Sequence, residues 1–186
     1  MLQNAALILR ARHESDVPVL MSGLYDDVAT RSRADSRPWQ PLSPGAAGSP
    51  YAVAAPSDEA ACFSVVERSS GELAGEALLW GIDTHSRTAH LGLALLPGFR
   101  GRGLAHDVVA LLCHYGFTVR GLQRLQVDTL ADNRPMIAAA ARAGFRLEGT
   151  LRRSAWTYGS FSDQVVLGLL SEEWTDPVLK PADTAR

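Results

Sequence analysis

The segment Arg100-Gly101-Arg102-Gly103-Leu104-Ala105 carries the residue types that hold an anion, and it stands where the β-like run ending Leu93-Ala94-Leu95-Leu96 gives way to a helical pattern. At such a junction the first backbone N–H groups of the helix lack intrahelical partners, and the helix dipole adds partial positive charge. Gly101 and Gly103 let the main chain approach a phosphate closely and take positive φ, while Arg100 and Arg102 add charge-assisted donors. The spacing is neither Gly-x-x-x-x-Gly-Lys-Ser/Thr nor a Gly-x-Gly-x-x-Gly following a first strand, so a P-loop and a dinucleotide fingerprint are both set aside. The alternative is an ordinary strand-to-helix turn with solvated arginines.

Other reactive side chains form no constellation in the sequence. The histidines lack metal-ligand spacing, and the serines sit in no nucleophile elbow. Cys62 and Cys113 lie far apart in apolar runs, which reads as two reduced, buried thiols in a reducing cytoplasm. His85, His90, His106 and His114 each have the chemistry of a general acid, although turn, strand-partner and helix-surface roles explain them equally. Asp128 shares an alternation face with Gln126, opposite Leu125 and Val127. A structural pairing with Arg124 or Arg134 is its other role. Asn133 reads as a helix N-cap.

These residues need elements to place them. Leu7, Leu9 and Ala11 mark a short strand, and Ser15 precedes Val17, Leu20, Met21, Leu24 and Val28 at helical spacing. Residues 37–56, with Pro38, Pro41, Pro44, Pro50 and Pro56, read as a long loop: a surface insertion, or a lid carrying Trp39 and Tyr51. Three β-like runs, 61–67, 72–80 and 88–96, are separated by turn signals and read as an antiparallel meander. Leu104, Val108, Leu111, Leu112 and Tyr115 predict a helix to about Val119, and residues 122–129 return to strand alternation. A second helix over 134–143, ended by Gly144, precedes strands at 145–151 and 164–170, joined through a polar, aromatic hairpin region with Trp156, Tyr158, Gly159 and Phe161. The order predicts a mixed α/β sheet with a ligand where neighbouring strands part at their C-terminal ends.

The gross numbers narrow the field. A chain of 186 residues fits one domain of ordinary size, and a net charge of −2 spread over both signs lacks the footprint of a nucleic-acid binder. The first residues reach arginine too soon for a signal peptide, and no apolar run approaches membrane-spanning length, so a soluble, cytoplasmic protein is expected.

Arg100-x-x-Gly103-x-Ala105 resembles the Arg/Gln-x-x-Gly-x-Gly/Ala signature of GNAT acetyltransferases, and Asn133 followed by Gly144-Phe145 resembles that family's Asn…Gly-Phe segment. Glu148-Gly149-Thr150-Leu151-Arg152, Gly159, Asp163 and Glu173-Trp174 are similar to the tail of its RimJ/RimL-like branch, which acetylates the N-termini of ribosomal proteins. In element order the resemblance covers residues 7 to 174. It implies a GNAT fold in residues 1–175 with a tail at 176–186: a mixed, mostly antiparallel sheet of about seven strands, splayed in the middle and flanked by helices. It also implies acetyl-CoA as acyl donor, with the backbone of Leu93, Ala94 and Leu95 on the pantetheine arm, residues 100–105 on the pyrophosphate, and Asn133 on the pantetheine or cysteamine portion.

The acceptor would be a primary amine, small or peptidic, attacking directly. A backbone N–H near Ala94 or Leu95 would stabilise the oxyanion, and Asp128 matches the position of a base used by some members. The tyrosine many relatives carry seven residues after the asparagine is here Ala140, so an acid would come from Tyr158, Ser154 or water, or the thiolate would leave unprotonated. Glu76 and Glu148 would stand near the cleft mouth or serve as structural hydrogen-bonding partners, and Trp39, Tyr51 and Trp156 are candidate walls of the acceptor pocket. A homodimer through the C-terminal strands is expected. Two other readings remain open: a non-catalytic acyl-CoA-binding module, and a phosphate or nucleotide site unrelated to coenzyme A.

Overall fold

The computed structural model describes residues 1–177 apart from 44, 45 and 47. Residues 178–186, most of the expected tail, and Pro44 lie outside the described residues.

Strict alternation builds the centre of the molecule. In β5 (Thr88–Leu95) Ala89, Leu91 and Leu95 are buried, and in β6 (Arg124–Leu130) Leu125 and Val127 are. All of them enter one core with Leu104, Val108, Leu111 and Leu112 of α3 (Leu104–Cys113) and with Met136, Ala139 and Ala140 of α4 (Arg134–Arg142). The intervening residues of the strands face the other way. There Ala94 packs with Leu96 against Val17 and Leu20 of α1 (Asp16–Leu20), Met21, Leu24 and Tyr25, and the buried Tyr51. The sheet thus has helices on both faces.

Eight strands form the sheet among the described residues, in the order β1-β2-β3-β4-β5-β6-β8-β7. The one more than expected is β1 (Leu2–Gln3), which extends the edge beside β2 (Leu7–Arg10). The meander is antiparallel as read: β3 (Ala60–Glu67), β4 (Leu73–Asp83) and β5 pair in sequence. The last two strands, β7 (Arg146–Thr157) and β8 (Ser160–Leu170), run longer than expected and meet in a tight turn at Tyr158 and Gly159, both at positive φ. No described helix is long and apolar enough to cross a membrane.

The N-terminal helix departs from the sequence reading. Instead of one amphipathic helix, α1 widens into a π-helical stretch at Met21–Tyr25, and a separate α2 (Val28–Ala34) restarts under an Asp27 cap that accepts from Ala29 and Thr30. Ser15 makes no side-chain cap; Asp16 is buried instead, accepting from the His13 N–H, the Ser64 hydroxyl and Arg10. Within residues 37–56, Trp39, Gln40 and Tyr51 are anchored to the N-terminal helices. Trp39 donates to the Tyr25 carbonyl, the Tyr25 hydroxyl donates to the Gln40 carbonyl, and Arg31 donates to the Tyr51 hydroxyl.

Candidate active site

The decisive feature is where β5 and β6 stop touching. These parallel neighbours pair only at Thr88↔Arg124, Ala89↔Leu125 and His90↔Gln126, while β5 stays paired with β4 to Leu95 and β6 with β8 to Leu130. Beyond His90 and Gln126 the strands part, leaving a wedge whose walls are the 91–95 edge of β5 and the 127–130 edge of β6. In an antiparallel ladder successive backbone N–H groups alternate in direction, so alternate groups of 91–95 point away from β4 and into the wedge. Ala94 and Leu95, opposite Glu76 and Gly75, stand on this edge. The close approach here demands a glycine: a Cβ on Gly75, at φ +156°, would lie 2.1 Å from the Ala94 carbonyl oxygen.

At the C-terminal end of β5 the chain makes a short 3-10 turn (Pro97–Phe99), extends through Arg100, and enters α3. Gly103 is the N-cap, at φ +80°, with no side chain to occupy the N–H groups of the first turn. Residues 100–103 are exposed, and nothing lies within 4 Å of a Cβ placed at Gly101 or Gly103. An open, uncapped helix entrance of this kind fits a diphosphate.

The two arginines differ in their freedom. Arg100 donates through Nε to the Leu95 carbonyl (2.9 Å), fixing the bend, and remains exposed. Arg102 forms an ion pair with Glu67 and lies over the Phe99 ring, 5.1 Å from its centroid.

Asn133 caps α4: it accepts from the Met136 N–H (3.4 Å) and donates to the Thr129 hydroxyl (2.9 Å), tying the helix start to the far wall of the wedge. Asp128 is on that wall, sharing its face with Gln126, and it pairs with neither Arg124 nor Arg134. Its carboxylate meets the His90 Nδ1 at 2.7 Å and accepts from the Gln126 amide at 3.0 Å. Arg124 is bound to Glu148 (2.7 Å at Nη1) and donates to the Gln126 side-chain oxygen (3.1 Å). A hydrogen-bonded row therefore runs from β7 over Gly168 of β8 to β6 and β5, Glu148–Arg124–Gln126–Asp128–His90, and ends against the Trp80 ring, stacked on His90 with centroids 5.2 Å apart. Arg124 holds the Glu148 carboxyl below its usual range.

A second polar group lies under the N-terminal helices. Arg12 and Glu76 pair at 2.8 Å, both mostly buried; burial pushes the Glu76 carboxyl up, against the pull of the Arg12 guanidinium. Burial likewise raises the Tyr51 hydroxyl, which is wholly enclosed and belongs to the core rather than to an open pocket wall. Sequence reasoning passed over Arg12, whose only signal was a charge just after a strand.

The C-terminal hairpin goes elsewhere. Val166 is the partner of Asp128 on β8, and Tyr158 precedes it by eight positions (166 − 158), roughly 20 Å or more along an extended chain. Tyr158 is thus removed from Asp128 within one chain and is 69% exposed, as Trp156 is 60% exposed against Phe161. Ser154 is occupied with the Leu151 carbonyl and Gln164. Ala140 is fully buried. Of the other histidines, His114 pairs with Asp176 and His85 lies in an exposed turn. Cys113 is buried but Cys62 is exposed, contrary to expectation.

What the sequence missed is the partnership of His90 with Asp128. Its only trace was that each stands on the polar phase of its strand; that the strands are neighbours follows from the crossover through α3.

Comparison with known proteins agrees with this architecture. Residues 6–146 match the model of the acetyltransferase (GNAT) domain. An uncharacterized N-acetyltransferase, p20, of Bacillus licheniformis is 30% identical over 60% of this chain and 63% of its own length. Spermidine N(1)-acetyltransferase of Escherichia coli K12 is 27% identical over 61% of each chain. The chain therefore spans less than two thirds of these relatives. Among solved structures, the spermidine N-acetyltransferase of Vibrio cholerae in complex with CoA and spermine superposes with a TM-score of 0.76 at 19% identity, over 91% of this chain and 98% of that one. With the splayed strands, the glycine-lined helix entrance and the family match over most of its length, the chain belongs to the GNAT acetyltransferase family.

Proposed function

We propose that this protein transfers an acetyl group from acetyl-CoA to a primary amine by direct attack, within a single catalytic domain of residues 1–175. The observation that carries this reading is the conjunction of an uncapped, exposed helix entrance with the parting of β5 from β6 beside it. The first-turn N–H groups after Gly103, with Arg100 alongside, hold the diphosphate; the free edge of 91–95 takes the pantetheine arm by β-like hydrogen bonds and presents an N–H near Ala94 or Leu95 to the thioester oxygen. Acetyl-CoA supplies the activated acyl group. Asn133 orders the start of α4 at the mouth of the wedge, and Asp128 takes part in removing the amine proton. With Ala140 in the core, no side chain at that position protonates the leaving sulfur; a coenzyme A thiolate is stable enough to depart and take its proton from water.

The acceptor is a small amine or a peptide α-amine. Relatives named for spermidine favour the first, and the tail motifs of the RimJ/RimL-like branch favour the second. Trp39, at the cover over the N-terminal helices, and the exposed Trp156 of the hairpin are the apolar surfaces offered to it. The hairpin also carries Leu147, Leu151 and Phe161 exposed, which supports a homodimer through β7 and β8. The test is an amine panel of N-terminal peptides, polyamines and aminoglycosides scored by coenzyme A thiol release. Release with at least one class is expected. Tight coenzyme A binding with no release across the panel marks a binding module instead, and ATP competing as well as coenzyme A marks an unrelated phosphate site.

A further inference from the structure

We infer that His90 is the group that removes the amine proton, and that Asp128 acts through it as a positioning residue. The inference rests on the acetyl-transfer reading and changes which side chain in it meets the substrate.

Three observations carry it. First, His90 is the last residue of β5 paired with β6, so its side chain stands at the vertex of the wedge, and Asp128 lies two residues past the β6 partner Gln126, already on the parted wall. The 2.7 Å bond between Nδ1 and the Asp128 carboxylate spans that vertex. Secondly, an N–H donor faces a carboxylate acceptor there, so Nδ1 carries the proton and Nε2 keeps its lone pair. A carboxylate holding an imidazole in this tautomer is the arrangement that makes the far nitrogen a base. Nε2 has no hydrogen-bond partner among the described residues, and the His90 side chain is 38% exposed against 26% for Asp128, so the imidazole is the more accessible of the two. Thirdly, neither group is free to turn away. Trp80 of β4 covers one face of the imidazole, and both oxygens of Asp128 are used, by His90 and by Gln126, which is itself fixed by Arg124. The charged groups around the pair are Asp128 and Arg124 on β6 and Glu148 on β7. Arg124 and Glu148 neutralise one another, leaving the Asp128 carboxylate as the local charge that an imidazolium meets.

An N–H bond of the substrate ammonium breaks, its proton goes to Nε2, and the pair stays on nitrogen. That pair forms the bond to the acetyl carbon while the carbon–sulfur bond breaks, its electrons leaving on sulfur. The second nitrogen proton goes to the thiolate through solvent, and the imidazolium returns its own to water.

Two measurements test this. Nitrogen chemical shifts of His90 in the ligand-free protein should show protonated Nδ1 and bare Nε2 near neutral pH, and Asp128→Asn should redistribute the tautomers; a proton on Nε2 in the unaltered protein overturns the proposal without any turnover being needed. His90→Gln should lower kcat/KM by about a hundredfold or more and abolish the acidic limb of its pH profile, with coenzyme A affinity and melting temperature near wild type. Asp128→Asn should lower kcat with KM little changed, and Asp128→Glu should restore part of the loss. If His90→Gln retains the wild-type rate and profile while Asp128→Asn loses both, Asp128 is itself the base. If the unaltered protein releases no thiol from any amine, the acetyl-transfer reading fails, and the tautomer result still judges the pairing.

Discussion

Arg100 and Arg102 are two positions apart and equally charged, yet the structure gives them unequal work. Arg102 is held by Glu67 and stacked on Phe99, whereas the Nη atoms of Arg100 make no hydrogen bond among the described residues after Nε has closed the bend on the Leu95 carbonyl. Arg100→Glu should therefore raise the coenzyme A dissociation constant by about tenfold or more, the scale of a lost charge-assisted bond, and Arg102→Glu by less, as calorimetry would show. Equal and negligible effects would remove the diphosphate from this bend. Gly103→Trp should weaken binding further, because a ring at φ +80° is both strained and set over the first-turn N–H groups. The signature Arg100-x-x-Gly103-x-Ala105 was legible as an anion site. The inequality of the arginines was not, since Glu67 approaches from a strand 35 positions away.

At the scale of elements, the wedge depends on how β5 is held on both sides. Gly75 lets β4 come against Ala94, so Gly75→Ala should destabilise the protein by about 1–3 kcal/mol through forced backbone displacement, read as a lower urea midpoint. Asn133 anchors the other wall. Losing both its cap and its bond to Thr129, Asn133→Ala should cost about 1 kcal/mol, with weaker coenzyme A binding if the start of α4 also serves the pantetheine arm. Strand and helix periods in the sequence located β3 to β6, α3 and α4 closely. They failed at the N-terminal helix because a π-helical widening keeps the apolar spacing while shifting the turn; at residues 37–56 they gave the loop but not the side-chain packing of Trp39 and Tyr51, because proline content reports only lost backbone hydrogen bonds.

At the scale of the molecule, Asp16 ties the N-terminal helices to the sheet. Burial pushes its carboxyl up, but hydrogen bonds from Arg10, the His13 N–H and Ser64 outweigh this and hold it well below the usual range. A depressed folded-state value means that the unfolded chain takes up the proton first. The stability Asp16 contributes is thus complete above about pH 4 and is lost as pH falls toward its folded value. Urea midpoints between pH 7 and pH 3 should fall less steeply in Asp16→Asn than in the unaltered protein, and Asp16→Ala should cost about 1–3 kcal/mol at neutral pH through the lost hydrogen bonds from Arg10, His13 and Ser64. A parallel decline in Asp16→Asn would show that other lowered carboxylates, such as Asp35, dominate the acid response. By itself the sequence determined the element order and the anion-binding bend, because both are local: strand and helix periods, and glycine beside arginine at a helix start, act over a few residues. Only the tertiary structure decided that β5 and β6 touch for three pairs and then part, that His90 and Asp128 share the vertex, and that Tyr158 stands far from them. Those are consequences of strand order and register, fixed by packing between residues distant in the chain.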